Sequence, residues 1–373
     1  MSLPAWESAR RILCIRLDHI GDVLMTTPAL RALKQAVPGR HITLLTSPGG
    51  ASVAPYIPEI DDTIAYAAPW MKSTSPHEVQ TDMALIGRLA SGNFDAAVIF
   101  TVYSQNPLPA AMLCYLAGIP LRLAHCHENP YQLLTHWLPD PEPHERIRHE
   151  VQRQLDLVAH AHAQTDDKRL SFHISDADCD FARELLQVLG IDTAKPWLML
   201  HPGATAPSRR YPAQHWNAAA HMLAKRLQCP LVFSGSEQEA ALIENIRKDL
   251  LDTCSLAGQL GLGQLAALIG QAPLLISNNT GPAHIAAAVG TPVIDLYALT
   301  NPQHTPWMVP HRVLFHDVPC RNCYKSVCPE GHHDCLARVS PARVADAAIE
   351  LLHAHKLHQP DQTLTTSTVL AHP

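Results

Sequence analysis

The chain has 373 residues, 47% of them hydrophobic, which is enough to bury two cores. Its 28 basic and 34 acidic residues leave a formal charge of −6, so no general basic field points to nucleic acid. No apolar run reaches the ~18 residues of a membrane span, and residues 1–10 lack a signal peptide's hydrophobic region, so the chain reads as cytoplasmic.

In the first half, strand patterns at 12–17, 41–46, 62–66 and 96–100 alternate with helix patterns at 27–36, 77–90 and 109–116. This ordering predicts a parallel sheet with helices on both faces. The first strand runs into Asp18-His19-Ile20-Gly21-Asp22 and then a helix. A single glycine there argues against a plain dinucleotide fingerprint. The turn sets two carboxylates, Asp18 and Asp22, beside a helix N-terminus, where a cap is the ordinary role. Residues 122–149 are rich in Pro and His. His144 and His149 flank Glu145 but stand five apart, one more than the zinc-protease motif needs on one helix face, so no protease is expected. A helix at 150–163 follows, and polar residues 164–168 begin an inter-domain connection.

The second half repeats the grammar. Strands are predicted at 197–201, 231–234, 274–277 and 293–297, and helices at 177–189, 214–227, 237–250, 262–269, 283–289 and 340–355. The reading is an α/β chain of two Rossmann-like domains with parallel sheets facing a central cleft, residues 1–165 and 170–356, with a disordered tail at 357–373. Three strand ends carry ligand-like turns. His201-Pro202-Gly203-Ala204-Thr205 precedes Arg209 and Arg210, which suit a diphosphate or a solvated surface pair. Ser234-Gly235-Ser236 precedes Glu237, placed either for ribose hydroxyls or as a helix N-terminal charge. Asn278-Asn279-Thr280-Gly281 opens an Ala-rich helix holding His284, a junction that aims N–H groups and the helix dipole at one spot and suits a phosphate.

Six cysteines are scattered singly, as in a reducing compartment, and four are clustered as Cys320, Cys323, Cys328 and Cys335. Their spacing is enough for a tetrahedral structural zinc or iron, with free thiols or a disulfide as the alternatives.

Segments 15–33, 200–216, 233–239, 277–302 and 320–344 together resemble glycosyltransferase family 9, the ADP-heptose:lipopolysaccharide heptosyltransferases, in family order over nearly the whole chain. The resemblance implies a GT-B architecture, with acceptor bound mainly by the first domain and nucleotide sugar mainly by the second. It implies inversion at the anomeric carbon, no catalytic metal or other cofactor, an ADP-heptose donor and a lipopolysaccharide-core or other glycan acceptor, with peripheral contact with the inner membrane. Carried over by position, it implies Asp22 as general base with Asp18 in reserve. Thr205 and Arg209 would bind phosphate, Glu237 the ribose, Leu260 would neighbour the adenine, and Thr280, Gly281 and His284 would form the diphosphate turn. A related protein-glycosylating branch is similar in carrying an iron-binding cysteine finger. Two positions depart. Asn279 stands where many members have a sugar-binding aspartate, and Arg209 replaces a lysine while keeping the charge. Residues 125–128 read as a polar loop, with acceptor contacts or a lid as alternatives. The other readings are a family transferase with another donor sugar or a protein or small-molecule acceptor, and a non-catalytic sugar-nucleotide-binding protein.

Overall fold

The computed structural model describes residues 5–72 and 76–358. The first sheet takes β1 (Arg11–Arg16), β2 (His41–Thr46), β3 (Asp62–Ala65), β4 (Ala96–Ile99), β5 (Leu121–Cys126) and β6 (His136–Pro139). Between and after them lie α1 (Ile20–Ala36), α2 (Pro48–Ala51), α3 (Val79–Ser91), α4 (Leu108–Leu116) and α5 (Glu150–Ala159). The second half runs α6 (Asp176–Val188), β7 (Leu198–His201), α7 (Ala213–Leu227), β8 (Leu231–Phe233), α8 (Ala240–Arg247), β9 (Thr253–Ser255) and α9 (Leu262–Gln271). It continues with β10 (Leu275–Asn278), α10 (Gly281–Val289), β11 (Val293–Leu296), β12 (His311–Leu314), α11 (Asp334–Ala337) and α12 (Pro341–His358).

Both sheets are six-stranded and parallel, ordered β3-β2-β1-β4-β5-β6 and β12-β11-β10-β7-β8-β9. Each therefore reverses its winding once, between β1 and β4 and between β7 and β10. Crevices form at such reversals, beyond the carboxyl ends of the strands. The central strands are apolar almost without interruption because helices cover both faces: Ile12–Ile15 and Leu274–Ile276 are essentially fully buried. In α1, Pro28 withholds an N–H from the Leu24 carbonyl, and the Thr27 hydroxyl supplies the missing donor at 2.7 Å. One apolar core is continuous between the halves, joining Val23, Leu24 and Leu30 of α1 to Ala283 and Ile285 of α10 and to Trp197 and Ala266.

The two-sheet reading holds. The Pro- and His-rich region, however, carries two strands that the pattern hid. In β5 the buried Arg122 interrupts the apolar run, yet its guanidinium is satisfied by the carbonyls of Leu133 at 2.7 Å and Gln132 at 2.8 Å. His125 and Cys126 belong to this strand and are buried, so only His127 and Glu128 lie in the loop. The tail expected at 357–373 lies outside the described residues apart from its first two, which end α12.

Candidate active site

The two winding reversals face each other across one cavity of about 240 Å³. From the first half it is lined by Asp18, His19, Gly21, Asp22, Met25, Val102 and Ser104, and from the second by Arg209, Asn279, Thr280, Gly281, His284, Thr300, Gln303, His304 and Tyr324. Asp22, Asp18, Arg209, Asn279, Thr280, Gly281 and His284 thus meet as the sequence reading grouped them. Thr205, Glu237 and Leu260 do not line this cavity. Glu237 instead follows β8 and packs on Gly258, two residues before Leu260: a Cβ placed on Gly258 would stand 3.0 Å from the Glu237 Cβ.

Close approach of two helix starts builds the centre. A Cβ on Gly21 would fall 2.4 Å from Cδ2 of His284, so only glycine lets the first turns of α1 and α10 touch here. Asp22 is the third residue of α1, and its Oδ2 accepts the His19 N–H at 3.3 Å, so the capping role is real. Its other oxygen remains in the cavity, 3.2 Å from Nη2 of Arg16 and 3.8 Å from Nε2 of His304. On the opposite wall no side chain caps α10, and Pro282 has no N–H. The N–H groups of Thr280 and Gly281 are left without an intrahelical acceptor. Arg209 reaches the same spot, donating from Nη1 to the Asn279 carbonyl at 3.3 Å, with Nε buried and unpartnered. Asn278 staples the wall, donating to the Pro202 carbonyl at 2.7 Å and accepting from the Tyr211 N–H at 3.2 Å.

Sequence reasoning missed the side chain beneath the carboxylates. Arg16 ends β1 fully buried and pairs with Asp18 at 2.8 Å, Asp22 at 3.2 Å and Glu150 at 2.6 Å. Glu150, also fully buried, accepts from Gln154 at 2.6 Å and from Gln303 of the second half at 3.0 Å. An arginine at both ends of an otherwise apolar strand was the available signal; Glu150, Gln303 and His304 carried none, since only the fold assembles them.

The two carboxylates titrate apart. Burial raises Asp18 to about 6, aided by the charge of Asp22 and opposed by Arg16. Burial also acts on Asp22, but the permanent charge of Arg16, joined at acid pH by protonated His304, overrides it and holds the carboxyl down at about 2. Burial lowers His284 to about 3 and also lowers His304, so both imidazoles beside Asp22 are neutral near pH 7.

Behind this wall, on β11, Asp295 is fully buried with both carboxylate oxygens unpartnered, and burial raises it to about 8 against the charge of Arg209. A folded-state pKa above the unfolded value of about 3.9 means that the fold holds the proton more tightly. The stability contributed is complete below about pH 3.9 and is lost as the pH rises through about 8. Wild-type stability, and Tm with it, is therefore expected to fall from pH 5 to about pH 8, the free energy of unfolding dropping by up to about 1.4 kcal/mol per pH unit. Thermal denaturation of Asp295→Asn is expected to lack that fall, and an identical slope would refute it.

The cysteine loop closes the outer side of the cavity. Ser208 donates to the Ser326 carbonyl at 3.1 Å through its N–H and to the Lys325 carbonyl at 2.7 Å through its hydroxyl. The Tyr324 hydroxyl meets that of Tyr103 at 2.7 Å across the cleft. All four thiols are free and half-buried, and Cys320 Sγ lies 3.7 Å from Nε2 of His332. Among the described residues no group of three or more His, Cys, Asp or Glu side chains is set to hold a metal ion. His149, the first residue before α5, uses its ring to cap that helix, accepting the Val151 N–H at 3.2 Å.

A family model described as "Glycosyltransferase family 9 (heptosyltransferase)" matches residues 83–333. Lipooligosaccharide heptosyltransferase 2 of Haemophilus ducreyi is 25% identical over 358 residues, 92% of this chain and 99% of that protein. Among solved structures, a glycosyl transferase family 9 protein from Veillonella parvula superposes with a TM-score of 0.76 at 24% identity, covering 94% of this chain and 98% of its own. ADP-heptose lps heptosyltransferase II of E. coli gives 0.70 at 23% identity, covering 93% and 99%. Among the described residues no helix is long and apolar enough to cross a membrane.

Proposed function

The chain belongs to glycosyltransferase family 9, and from that premise we propose that it is an inverting, metal-independent heptosyltransferase that moves a heptose from ADP-heptose to a hydroxyl of a lipopolysaccharide-core or other glycan acceptor. The observation that carries this reading is the meeting, in one cavity, of an ionised carboxylate with an uncapped helix start and an arginine. Residues 1–165 act as the acceptor domain and 170–356 as the donor domain, working at the cytoplasmic face of the inner membrane.

The reaction is a single displacement. As an acceptor oxygen attacks the anomeric carbon, its proton passes to the free oxygen of Asp22, and the bond from that carbon to the β-phosphate oxygen breaks. ADP leaves with the electron pair. Its growing charge is met by the Arg209 guanidinium and the N–H groups of Thr280 and Gly281, backed by the α10 dipole. Neutral His284 and His304 bound the site without adding charge beside Asp22. Thr205 approaches the phosphates, while Glu237 and Leu260, gathered at the ends of β8 and β9, take the ribose and adenine. Asn279 offers an amide to the sugar; its Nδ2 lies 3.4 Å from the Thr300 hydroxyl.

Incubation with ADP-heptose and an acceptor panel, with ADP release and acceptor mass as readouts, tests the reading. ADP binding without transfer to any acceptor would favour the non-catalytic alternative. Arg209→Ala is expected to weaken ADP binding about 10- to 100-fold, the scale of charge-assisted hydrogen bonds, and calorimetric titration measures it.

A further inference from the structure

Three hollows meet at the loop after β4, and Ser104 lines all of them. One is the cavity between the domains. The second, of about 220 Å³, opens beside it within the first half and has hydrocarbon walls: Ile15, Ile99, Phe100, Trp70, Met71 and Ala110. Its polar edge is formed by Thr101, Ser104, Gln105 and Asn106, and among the described residues no charged side chain lines it. The edge is directly linked to the reacting centre, because Gln105 donates to Asp18 Oδ1 at 2.5 Å.

Charge on the acceptor side points the same way. Among the described residues, the acidic and basic side chains that the first half contributes to the three hollows are Asp18, His19, Asp22, His127 and Glu128, with no lysine or arginine among them. Lys72, next to Met71, is turned across the cleft to the Ser326 hydroxyl at 2.5 Å. Arg16 lies fully buried under its own three carboxylates. An anionic substituent next to the acceptor hydroxyl would face carboxylates and lose its hydration, with the cavity's Arg209 on the opposite wall and engaged by the diphosphate in the proposed reaction. A hydrocarbon surface there would leave water for a matching wall.

We propose that the acceptor carries an uncharged, apolar group, alkyl or aryl, beside its nucleophilic hydroxyl, and that this group seats in the hollow between Trp70 and Phe100. The inference rests on the transferase reading and, within it, selects another glycan acceptor over the lipopolysaccharide core; the pocket can be tested apart from it. The full-length protein is titrated calorimetrically with methyl, butyl and hexyl β-D-glucopyranoside, with glucuronate and, in separate runs, with ADP.

Affinity is expected to rise about fourfold per methylene seated, so that hexyl glucoside, with roughly two or three of its additional methylenes inside the hollow, binds on the order of 10- to 100-fold more tightly than methyl glucoside, with glucuronate weakest. Trp70→Ala at the half-buried rim, and Ala110→Leu within the hollow, are expected to flatten the series while ADP binding stays unchanged. A flat series in the wild type, no binding at all, or glucuronate binding as tightly as hexyl glucoside overturns the proposal. Loss of ADP binding with the alkyl series intact would overturn the transferase reading and leave the pocket standing.

Discussion

Asp22→Ala is expected to lower turnover by a factor of about 10² to 10⁴ while ADP affinity stays within about twofold of wild type. The carboxylate stands on the first-half wall of the cavity, and Arg209 and the start of α10, the groups proposed to hold the diphosphate, lie opposite. Because Asp22 also accepts the His19 N–H, alanine removes a helix cap as well as a base. Asp22→Asn separates the two: the amide oxygen can still cap, but it cannot take a proton. Turnover should fall as far in Asn as in Ala, with Tm preserved only in Asn. Near-normal ADP release by either variant would remove Asp22 from the mechanism. With Asp22 held at about 2, the wild-type acid limb does not come from the base itself; an inflection near pH 6 would belong to Asp18 and disappear in Asp18→Asn.

Arg16→Met is expected to cost about 3–5 kcal/mol of stability, because one buried cation is shared by three carboxylates. Glu150 is fully buried and would keep only its two amide donors, Gln154 and Gln303. The functional signature is separate from the structural one. Without Arg16 the largest influence lowering Asp22 disappears, burial then raises the group, and protonation of the base enters the working range. The acid limb of kcat should therefore move up by one or more pH units, a shift that simple loss of packing would not produce. Arg16→Met with Glu150→Gln should recover part of the Tm but not the pH profile. Unchanged Tm and profile in the single variant would refute the clamp.

Much of this arrangement was legible because parallel strands buried on both faces write themselves as apolar runs, and because Gly21 and Gly281 punctuate their ends. The boundaries of β2 and the existence of α1, α7 and α10 followed from periodicity and turn chemistry. What stayed hidden were elements in which polar groups are satisfied by the backbone, as Arg122 is in β5, and short edge strands such as β6 and β12 that bury only one side. The site divided in the same way. Asp22, Arg209 and the Thr280-Gly281 turn sit at strand ends, where sequence order predicts a crevice. Arg16, Glu150 and the neighbouring pair Gln303 and His304 are drawn together from three separate stretches, and no local pattern records a tertiary meeting of that kind.

The core that runs unbroken from α1 into α10 also bears on how such enzymes can be recombined. Donor and acceptor halves that merely faced each other across a hinge could be exchanged between relatives like cassettes. Here the face of each half is part of the other's interior, and Gly21 fits only against the ring of His284. A chimera joined in the connection near residue 168 would inherit mismatched helix starts, so the unit that can be grafted is the facing pair of helices together with one sheet.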